Sequence, residues 1–156
     1  MKIKVGERAP EFTLSDQFGK PHNLSDFKGE WVLLYFYPKD NTPGCTKEAC
    51  TLKDNFAKFA KFYAQVIGVS VDSVQSHDKF AKKYELPFII LSDKDRKVVE
   101  LYGVWGRKKF MGKEYYGTSR MSFLIDSEGK VAKIYEKVKP ADHAKEVLDD
   151  LQQLVK

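Results

Sequence analysis

The most constraining feature of this chain is an apolar run, WVLLYFY, at residues 31–37. A strand with this pattern has apolar side chains on both faces, so both faces must be covered, as in the interior of an α/β sheet. The following residues, DNTPG at 40–44, have the chemistry of a turn. From residue 45 the apolar positions step by three and four, which predicts an amphipathic helix over the strand. The inward positions of this helix are Ala49, Leu52, Phe56, Phe59 and Tyr63.

Strand and helix patterns continue to alternate along the chain. The segment 9–24 is predicted to contain short extended pieces around the turn FGKP. The later predicted elements are strands at 65–71, 88–91, 122–125 and 131–135 and helices at 74–84, 94–102 and 141–155. The strands at 122–125 and 131–135 flank DSEG, a pattern typical of a β-hairpin. Early alternation followed by a late hairpin predicts a mixed sheet with helices on both faces, a three-layer α/β/α sandwich.

Composition limits the class of protein. The chain has 156 residues, of which 42% are hydrophobic and 31% charged, and no linker or repeat divides it, so we expect a single domain over 1–156. No stretch approaches the length of a membrane-spanning helix, and the first residues, MKIKVGERAPEF, lack the apolar core of a secretory signal. We therefore expect a cytoplasmic protein with no membrane partner.

The net charge of +5 raises the alternative of a basic nucleic-acid-binding domain. Its support is a group of aromatic side chains among late basic residues: Trp105, Phe110, Tyr115 and Tyr116. Elsewhere the lysines are scattered among acidic residues, which is typical of a solvated surface. We therefore expect no nucleic-acid partner.

Both cysteines of the chain, Cys45 and Cys50, lie at the start of the first predicted helix. The free N–H groups and the positive dipole of a helix N-terminus favour a thiolate. Pro43 suits the first position of a helix, and Gly44 allows backbone to approach a bound group closely. Cys45 is therefore a candidate nucleophile, and the alternative is a small buried apolar residue.

The spacing of the two cysteines restricts their chemistry. Five residues along a continuous helix separate Cα atoms by roughly 8 to 9 Å, beyond the limit of about 7 Å for a disulfide. The pair either never bonds, or the first helical turns unwind when it does. The spacing is also wrong for a thioredoxin-type Cys-x2-Cys site, and two cysteines are too few for a typical zinc site. A cysteine hydrolase would need a histidine partner, and the candidates are dispersed: His22, His77 and His143.

The pattern Pro38-x3-Thr42-x2-Cys45 matches the active-site motif of the peroxiredoxins. The longer string TPGCTKEAC resembles the Q type, also called bacterioferritin comigratory protein. The segments KVGERAPEFTL, GVSVDS, FIILSDKD and GVWGRKKFMGKEYYGTSRMSFLID follow in the family's order, so the resemblance covers nearly the whole chain. It implies a thioredoxin-like fold with an N-terminal β-hairpin, in agreement with the layered architecture predicted above.

The resemblance also implies roles for individual residues. Cys45 would attack a peroxide oxygen and become a sulfenic acid. Thr42 would hold and polarise the peroxide, and Arg120 would direct its guanidinium at the thiolate and the peroxide. Pro38 would shield the sulfenic acid, and Glu48 would orient the arginine.

The implied activity is the reduction of hydrogen peroxide and organic hydroperoxides. Cys50 would resolve the sulfenic acid as an intramolecular disulfide, and thioredoxin or a similar dithiol protein would reduce it. The resemblance implies no metal, flavin or haem cofactor, and a monomer, with a weak dimer as the alternative. A general thiol–disulfide oxidoreductase remains the competing function.

Overall fold

Most strands of the protein form one mixed sheet that lies between two layers of helices. The computed structural model describes residues 3–155. The strands are β1 (Thr13–Ser15), β2 (Pro21–Asn23), β3 (Trp31–Phe36), β4 (Ala64–Ser70), β5 (Ile89–Ser92), β6 (Trp105–Phe110), β7 (Lys113–Thr118), β8 (Met121–Ile125) and β9 (Val131–Tyr135). The helices are α1 (Pro43–Asp54), α2 (Phe56–Lys61), α3 (Val74–Tyr84), α4 (Lys97–Leu101) and α5 (His143–Leu154), and a 3-10 helix spans Leu24–Phe27.

The main sheet has seven strands in the order β2-β1-β5-β4-β3-β8-β9. β3, β4 and β5 are parallel, and β8 runs antiparallel along the other side of β3. β3 is therefore hydrogen-bonded on both edges. This position accounts for its uninterrupted apolar sequence, because helices cover both faces of the sheet around it.

The side chains of β3 alternate between two cores. Leu33, Tyr35 and the following Tyr37 belong to one cluster, together with residues of α1, α2, α3 and α5. Val32, Leu34 and Phe36 belong to a second cluster, together with residues of α4 and the 3-10 helix. The three-layer α/β/α sandwich predicted from the sequence is confirmed. The N-terminal hairpin is also confirmed, since β1 pairs antiparallel with β2.

The first predicted helix differs from the observed one. It is divided at Asn55, where α1 ends and α2 begins, and the side-chain amide of Asn55 donates to the carbonyl of Thr51 at 2.8 Å. The inward position predicted for Tyr63 is wrong. Its side chain is 75% exposed. Tyr63 lies beyond the end of α2 and has a φ of 54°, so the chain has already turned toward β4.

Residues 105–118 form a hairpin, β6–β7, in a stretch for which the sequence predicts neither a strand nor a helix. These two strands pair with each other in a separate sheet. Their turn consists of Met111 and Gly112, both with positive φ. Asn-Gly is the usual sequence signal for such a turn, and methionine in the first position concealed it.

None of the helices in residues 3–155 has the length and apolar character required to cross a membrane. The assignment of the chain to a single domain over 1–156 remains a prediction. Residues 1, 2 and 156 lie outside the described part of the chain.

Gly68 of β4 provides a test of the packing around β3. A Cβ atom at this position would lie 2.6 Å from Cγ2 of Ile90 and 2.9 Å from the hydroxyl oxygen of Tyr35. Both neighbours are buried, so we expect Gly68→Ala to lower the free energy of unfolding by about 1 to 3 kcal/mol. The matched control is Gly106→Ala in β6, where the added Cβ would meet no atom within 4 Å. This substitution should change the free energy of unfolding by less than about 0.5 kcal/mol. Urea unfolding measures both, and equal losses would contradict this account.

Candidate active site

The pairing of β3 with β8 brings two distant parts of the chain together. The last residue pair of this ladder is Phe36 with Met121. Beyond Phe36 the chain enters the loop 37–42 and then α1, and Arg120 immediately precedes Met121. The strand register therefore places Arg120 beside the start of α1, although 75 residues separate it from Cys45.

Cys45 lies in the first turn of α1 and is 1% exposed. Pro43 is the first residue of the helix, and Thr42 is its N-cap with extended backbone angles. The side chain of Thr42 does not cap the helix; its hydroxyl donates to the carbonyl of Lys39 at 2.9 Å. The Thr42 hydroxyl therefore leaves the first-turn N–H groups unoccupied, and the positive end of the helix dipole faces Cys45.

Arg120 binds two side chains of α1 at once. Its Nη2 donates to Sγ of Cys45 at 3.3 Å, and its Nη1 donates to Oε1 of Glu48 at 2.7 Å. The side chain of Glu48 is fully buried, and that of Arg120 is 19% exposed. The structure thus brings together three of the residues that the sequence singled out, and it places a fixed positive charge against the thiol.

Burial and the neighbouring charges together set the pKa values of Glu48 and Arg120. Burial raises the pKa of Glu48 to about 7, although the charge of Arg120 and its hydrogen bond act in the opposite direction. The second carboxylate oxygen, Oε2, has no hydrogen-bond partner among the described atoms. Burial opposes the charged form of Arg120, but the neighbouring Cys45 and Glu48 outweigh it and raise the pKa of the guanidinium. Arg120 therefore stays charged at every working pH.

The absence of a side chain at Gly44 leaves room for the guanidinium of Arg120. A Cβ atom on Gly44 would lie 2.8 Å from Nη2 of Arg120 and 3.9 Å from Cγ of Pro140. From the sequence, we expect the backbone at Gly44 to approach a bound group closely. In the structure, the group close to Gly44 is the side chain of Arg120. Pro140, which comes from the loop before α5, was not foreseen at the site.

A buried network anchored by Asp40 fixes the loop that leads to Cys45. The carboxylate of Asp40 accepts from the hydroxyls of Tyr37 at 2.6 Å and Ser76 at 2.8 Å, and it contacts Nδ1 of His77 at 2.6 Å. The other ring nitrogen of His77 donates to the carbonyl of Leu91 at 3.0 Å. Asp40 thereby ties the loop to α3 and β5. Sequence reasoning missed it, because Asp40 was interpreted as a turn residue and His77 carried no local signature.

Asp40, Asp72 and His77 are also the three side chains in residues 3–155 whose ligand atoms lie close enough together for a metal ion. These atoms already bind other protein groups. Oδ2 of Asp72 accepts from the backbone N–H of Asp40 at 2.9 Å and from the hydroxyl of Ser70 at 2.6 Å. We therefore interpret the cluster as a hydrogen-bond network that holds the loop.

The remaining predicted site residues lie around this centre. Cys50 is half-buried on α1, and both cysteines are free thiols. Because α1 is continuous from Pro43 to Asp54, its geometry separates the two thiols as the sequence analysis expected. Pro38 is exposed at the start of the loop, and its shielding role remains a prediction.

Comparison with known proteins gives a consistent result. The model of the AhpC/TSA family matches residues 5–134. The chain is 47% identical to peroxiredoxin Bcp of Bacillus subtilis over 154 residues, which cover 99% of this chain and 98% of the relative. Its structure is similar to that of a PrxQ variant of Xylella fastidiosa, with a TM-score of 0.94, 32% identity, and coverage of 100% of this chain and 99% of the other. Bacterioferritin comigratory protein of Xanthomonas campestris has a TM-score of 0.91 and 36% identity, and the match covers 98% of this chain and 100% of the other.

The raised pKa of Glu48 predicts how stability depends on pH. The folded state holds this proton up to about pH 7, whereas the unfolded chain releases it near pH 4.5, so ionised Glu48 destabilises the fold as the pH rises through this interval. Relative to Glu48→Gln, the chain with Glu48 should lose on the order of 2 to 3 kcal/mol of unfolding free energy between pH 5 and pH 8. Urea unfolding at both pH values measures this difference in unfolding free energy. Both chains also carry Cys45→Ser to prevent oxidation. Parallel pH profiles would show that the burial of Glu48 is not costly.

Proposed function

Since the chain belongs to the AhpC/TSA family and is a thiol peroxidase, we propose that Cys45 is the thiol that attacks the hydroperoxide. The observation that carries this proposal is the contact of 3.3 Å between Sγ of Cys45 and Nη2 of Arg120 in the first turn of α1. A guanidinium and a helix N-terminus both favour the thiolate, which is the reactive form. Arg120 also has a second donor group bound to Glu48, which fixes its orientation toward the sulfur.

The proposed first step transfers one oxygen atom to sulfur. The Cys45 thiolate attacks the terminal oxygen of ROOH, so that an S–O bond forms and the O–O bond breaks. Cys45 becomes a sulfenic acid, and the leaving RO⁻ takes a proton to give an alcohol, or water when the substrate is hydrogen peroxide. Negative charge moves from sulfur to the leaving oxygen during this step. The fixed charge of Arg120 stabilises that shift without needing to reorient.

Thr42 is proposed to bind the peroxide. Its hydroxyl proton is committed to the carbonyl of Lys39, so the lone pairs of the hydroxyl oxygen remain free to accept the O–H of the substrate. Glu48 orients Arg120, and Pro38 at the head of the loop limits access of further oxidant to the sulfenic acid.

In the second step Cys50 resolves the sulfenic acid. Its thiolate attacks the sulfur of Cys45, a disulfide forms, and the hydroxyl group leaves as water after taking a proton. The first turns of α1 must unwind before the two sulfurs can meet. A dithiol protein of the thioredoxin type then reduces the disulfide, so the cycle runs through sulfur alone, without a metal, flavin or haem.

Both hydrogen peroxide and organic hydroperoxides are proposed substrates. The structural study of the Xanthomonas campestris relative concerns alkyl peroxide reduction, which supports the organic class. We place the protein in the cytoplasm and expect it to act as a monomer, with a weak dimer as the alternative. The competing functions, general thiol–disulfide exchange and nucleic-acid binding, are not favoured by the relatives that the chain matches.

Variants of the two cysteines test the central assignment. After one equivalent of hydrogen peroxide without reductant, intact mass should show an internal disulfide in the wild type and one added oxygen atom in Cys50→Ser. Cys45→Ser should keep its mass and lose peroxide consumption in the presence of dithiothreitol. The proposal fails if Cys45→Ser consumes peroxide as fast as the wild type does.

Gly44→Ala tests the role of Arg120 without removing its charge. The added methyl group displaces the guanidinium, so the rate constant for reaction of Cys45 with hydrogen peroxide should fall about 10- to 100-fold. The displaced guanidinium also weakens its bond to the buried carboxylate of Glu48, so the free energy of unfolding should fall. The control is Lys47→Ala on the exposed side of the same helix, which should leave the rate within about twofold. Stopped-flow measurement of both variants gives the comparison, and an unchanged rate in Gly44→Ala would remove Arg120 from the mechanism.

A further inference from the structure

The hairpin β6–β7 exposes apolar surface that the proposed reaction does not use. Four of the nine large hydrophobic side chains exposed in the described part of the chain lie on it. Phe110 is 67% exposed, Met111 88%, Tyr115 51% and Tyr116 63%. Aromatic residues and methionine are enriched at protein interfaces, so this concentration on one projecting element indicates a binding surface.

The strand register divides the hairpin into two faces with different charge. Residues directly opposite each other share a face, and successive residues alternate between faces. The Phe110 face consists of Lys108, Phe110, Lys113 and Tyr115, and the Tyr116 face of Arg107, Lys109, Glu114 and Tyr116. On the Tyr116 face Glu114 pairs with Arg107 at 3.8 Å. The Phe110 face has two aromatic rings, two cations and no carboxylate.

The apex of the hairpin strengthens this interpretation. Met111 has a φ of 52° and is followed by Gly112 with a φ of 80°, the arrangement for which Asn-Gly is preferred. A left-handed conformation costs a residue such as methionine about 1 to 2 kcal/mol. Because the side chain of Met111 is also 88% exposed, packing against the described residues 3–155 does little to offset this cost. Contact with another molecule would account for its presence.

The base of the Phe110 face adjoins the active site. Nζ of Lys108 donates to the hydroxyl of Ser119 at 2.8 Å, and Ser119 immediately precedes Arg120. Strands of six residues extend about 20 Å from this point, which is less than the diameter of a small protein. A protein that reaches α1 on this side can therefore also contact the hairpin.

We propose that the Phe110 face, together with Met111, docks the dithiol protein that reduces the Cys45–Cys50 disulfide. This inference rests on the proposed function. The complementary partner surface has an apolar centre with carboxylates around it, since the Phe110 face offers aromatic rings flanked by Lys108 and Lys113. The charges accelerate encounter with an acidic partner, and the two rings, which become buried on docking, hold the partner while the disulfide is exchanged.

Other occupants fit this face less well. Docking of a second copy through the same face would bring the lysines of both copies together without a carboxylate between them. Two cations are also few beside the 6 to 10 phosphate contacts that are typical of strong duplex binding.

The test compares matched substitutions on the two faces. Steady-state peroxide reduction is measured with reduced thioredoxin as the probe and, separately, with dithiothreitol. Tyr115→Ser should lower kcat/KM for thioredoxin on the order of tenfold, and its neighbour Tyr116→Ser on the opposite face by less than twofold. Lys113→Gln should lower kcat/KM for thioredoxin about threefold at low salt. Lys109→Gln makes the same change of charge on the other face and should lower it less. All four variants should match the wild type with dithiothreitol.

Met111→Asn separates docking from folding. Asparagine is favoured in this turn, so the free energy of unfolding should stay the same or rise. The value of kcat/KM for thioredoxin should nevertheless fall severalfold, while turnover with dithiothreitol is unchanged. This combination is not expected from a purely structural role of the hairpin.

Several outcomes would overturn the docking proposal. One is that substitutions on both faces lower kcat/KM for thioredoxin equally. Another is that they lower turnover with dithiothreitol by the same factor. A third is that Tyr115→Ser leaves thioredoxin kinetics unchanged but alters sedimentation of the protein alone, with DNA or with anionic vesicles, which would assign the face to a second copy, a nucleic acid or a bilayer. Absence of wild-type turnover with dithiothreitol is a different result, because it would refute the peroxidase assignment itself.

Discussion

The contact of one guanidinium with a thiol and a carboxylate is the interaction on which this site depends. Arg120 comes from the start of β8, whereas Cys45 and Glu48 come from α1, so the contact exists only because β3 and β8 pair in one register. Burial moves the pKa of Glu48 to about 7, which leaves part of this carboxyl population protonated near neutrality. When Glu48 is neutral, it no longer offsets the positive potential that Arg120 produces at Cys45.

The proposed cycle requires a site that combines a fixed part with a part that opens. The loop before α1 is held by Asp40, whose buried carboxylate binds two side chains of α3 and Tyr37 at the start of the loop. The stretch from Cys45 to Cys50 takes no part in this Asp40 network. It is held by the bonds from Arg120 and by the burial of Ala49, and Cys50 is only half-buried. Opening can therefore begin within α1 while the loop that carries Thr42 stays in place. Local openings of this kind cost less free energy than unfolding of the domain.

The sequence predicts those parts of the molecule that depend on local pattern. The apolar run at 31–37 predicts a strand covered on both faces, and the helix predicted over 74–84 coincides with α3. The active-site motif singles out Cys45 and the resemblance of the late segment singles out Arg120, but only the β3–β8 register shows how they meet. Asp40 and His77 were missed because their bond joins residues 37 positions apart, which no periodicity encodes. The β6–β7 hairpin was missed because its apex carries Met111, a residue chosen against the local preference of the turn.

Oxidation itself changes the balance that keeps α1 wound. Arg120 donates to Sγ of Cys45, and if Cys45 reacts as the proposed thiolate this bond is charge-assisted and about twice as strong as a neutral one. The proposed first step moves the negative charge from sulfur to the leaving oxygen, so Arg120 loses the thiolate as its partner at Cys45. The bond from Arg120 to Glu48 remains, one turn further along the helix. We therefore infer that the first turn of α1 becomes easier to open once Cys45 is oxidised, at the stage when Cys50 needs access to it.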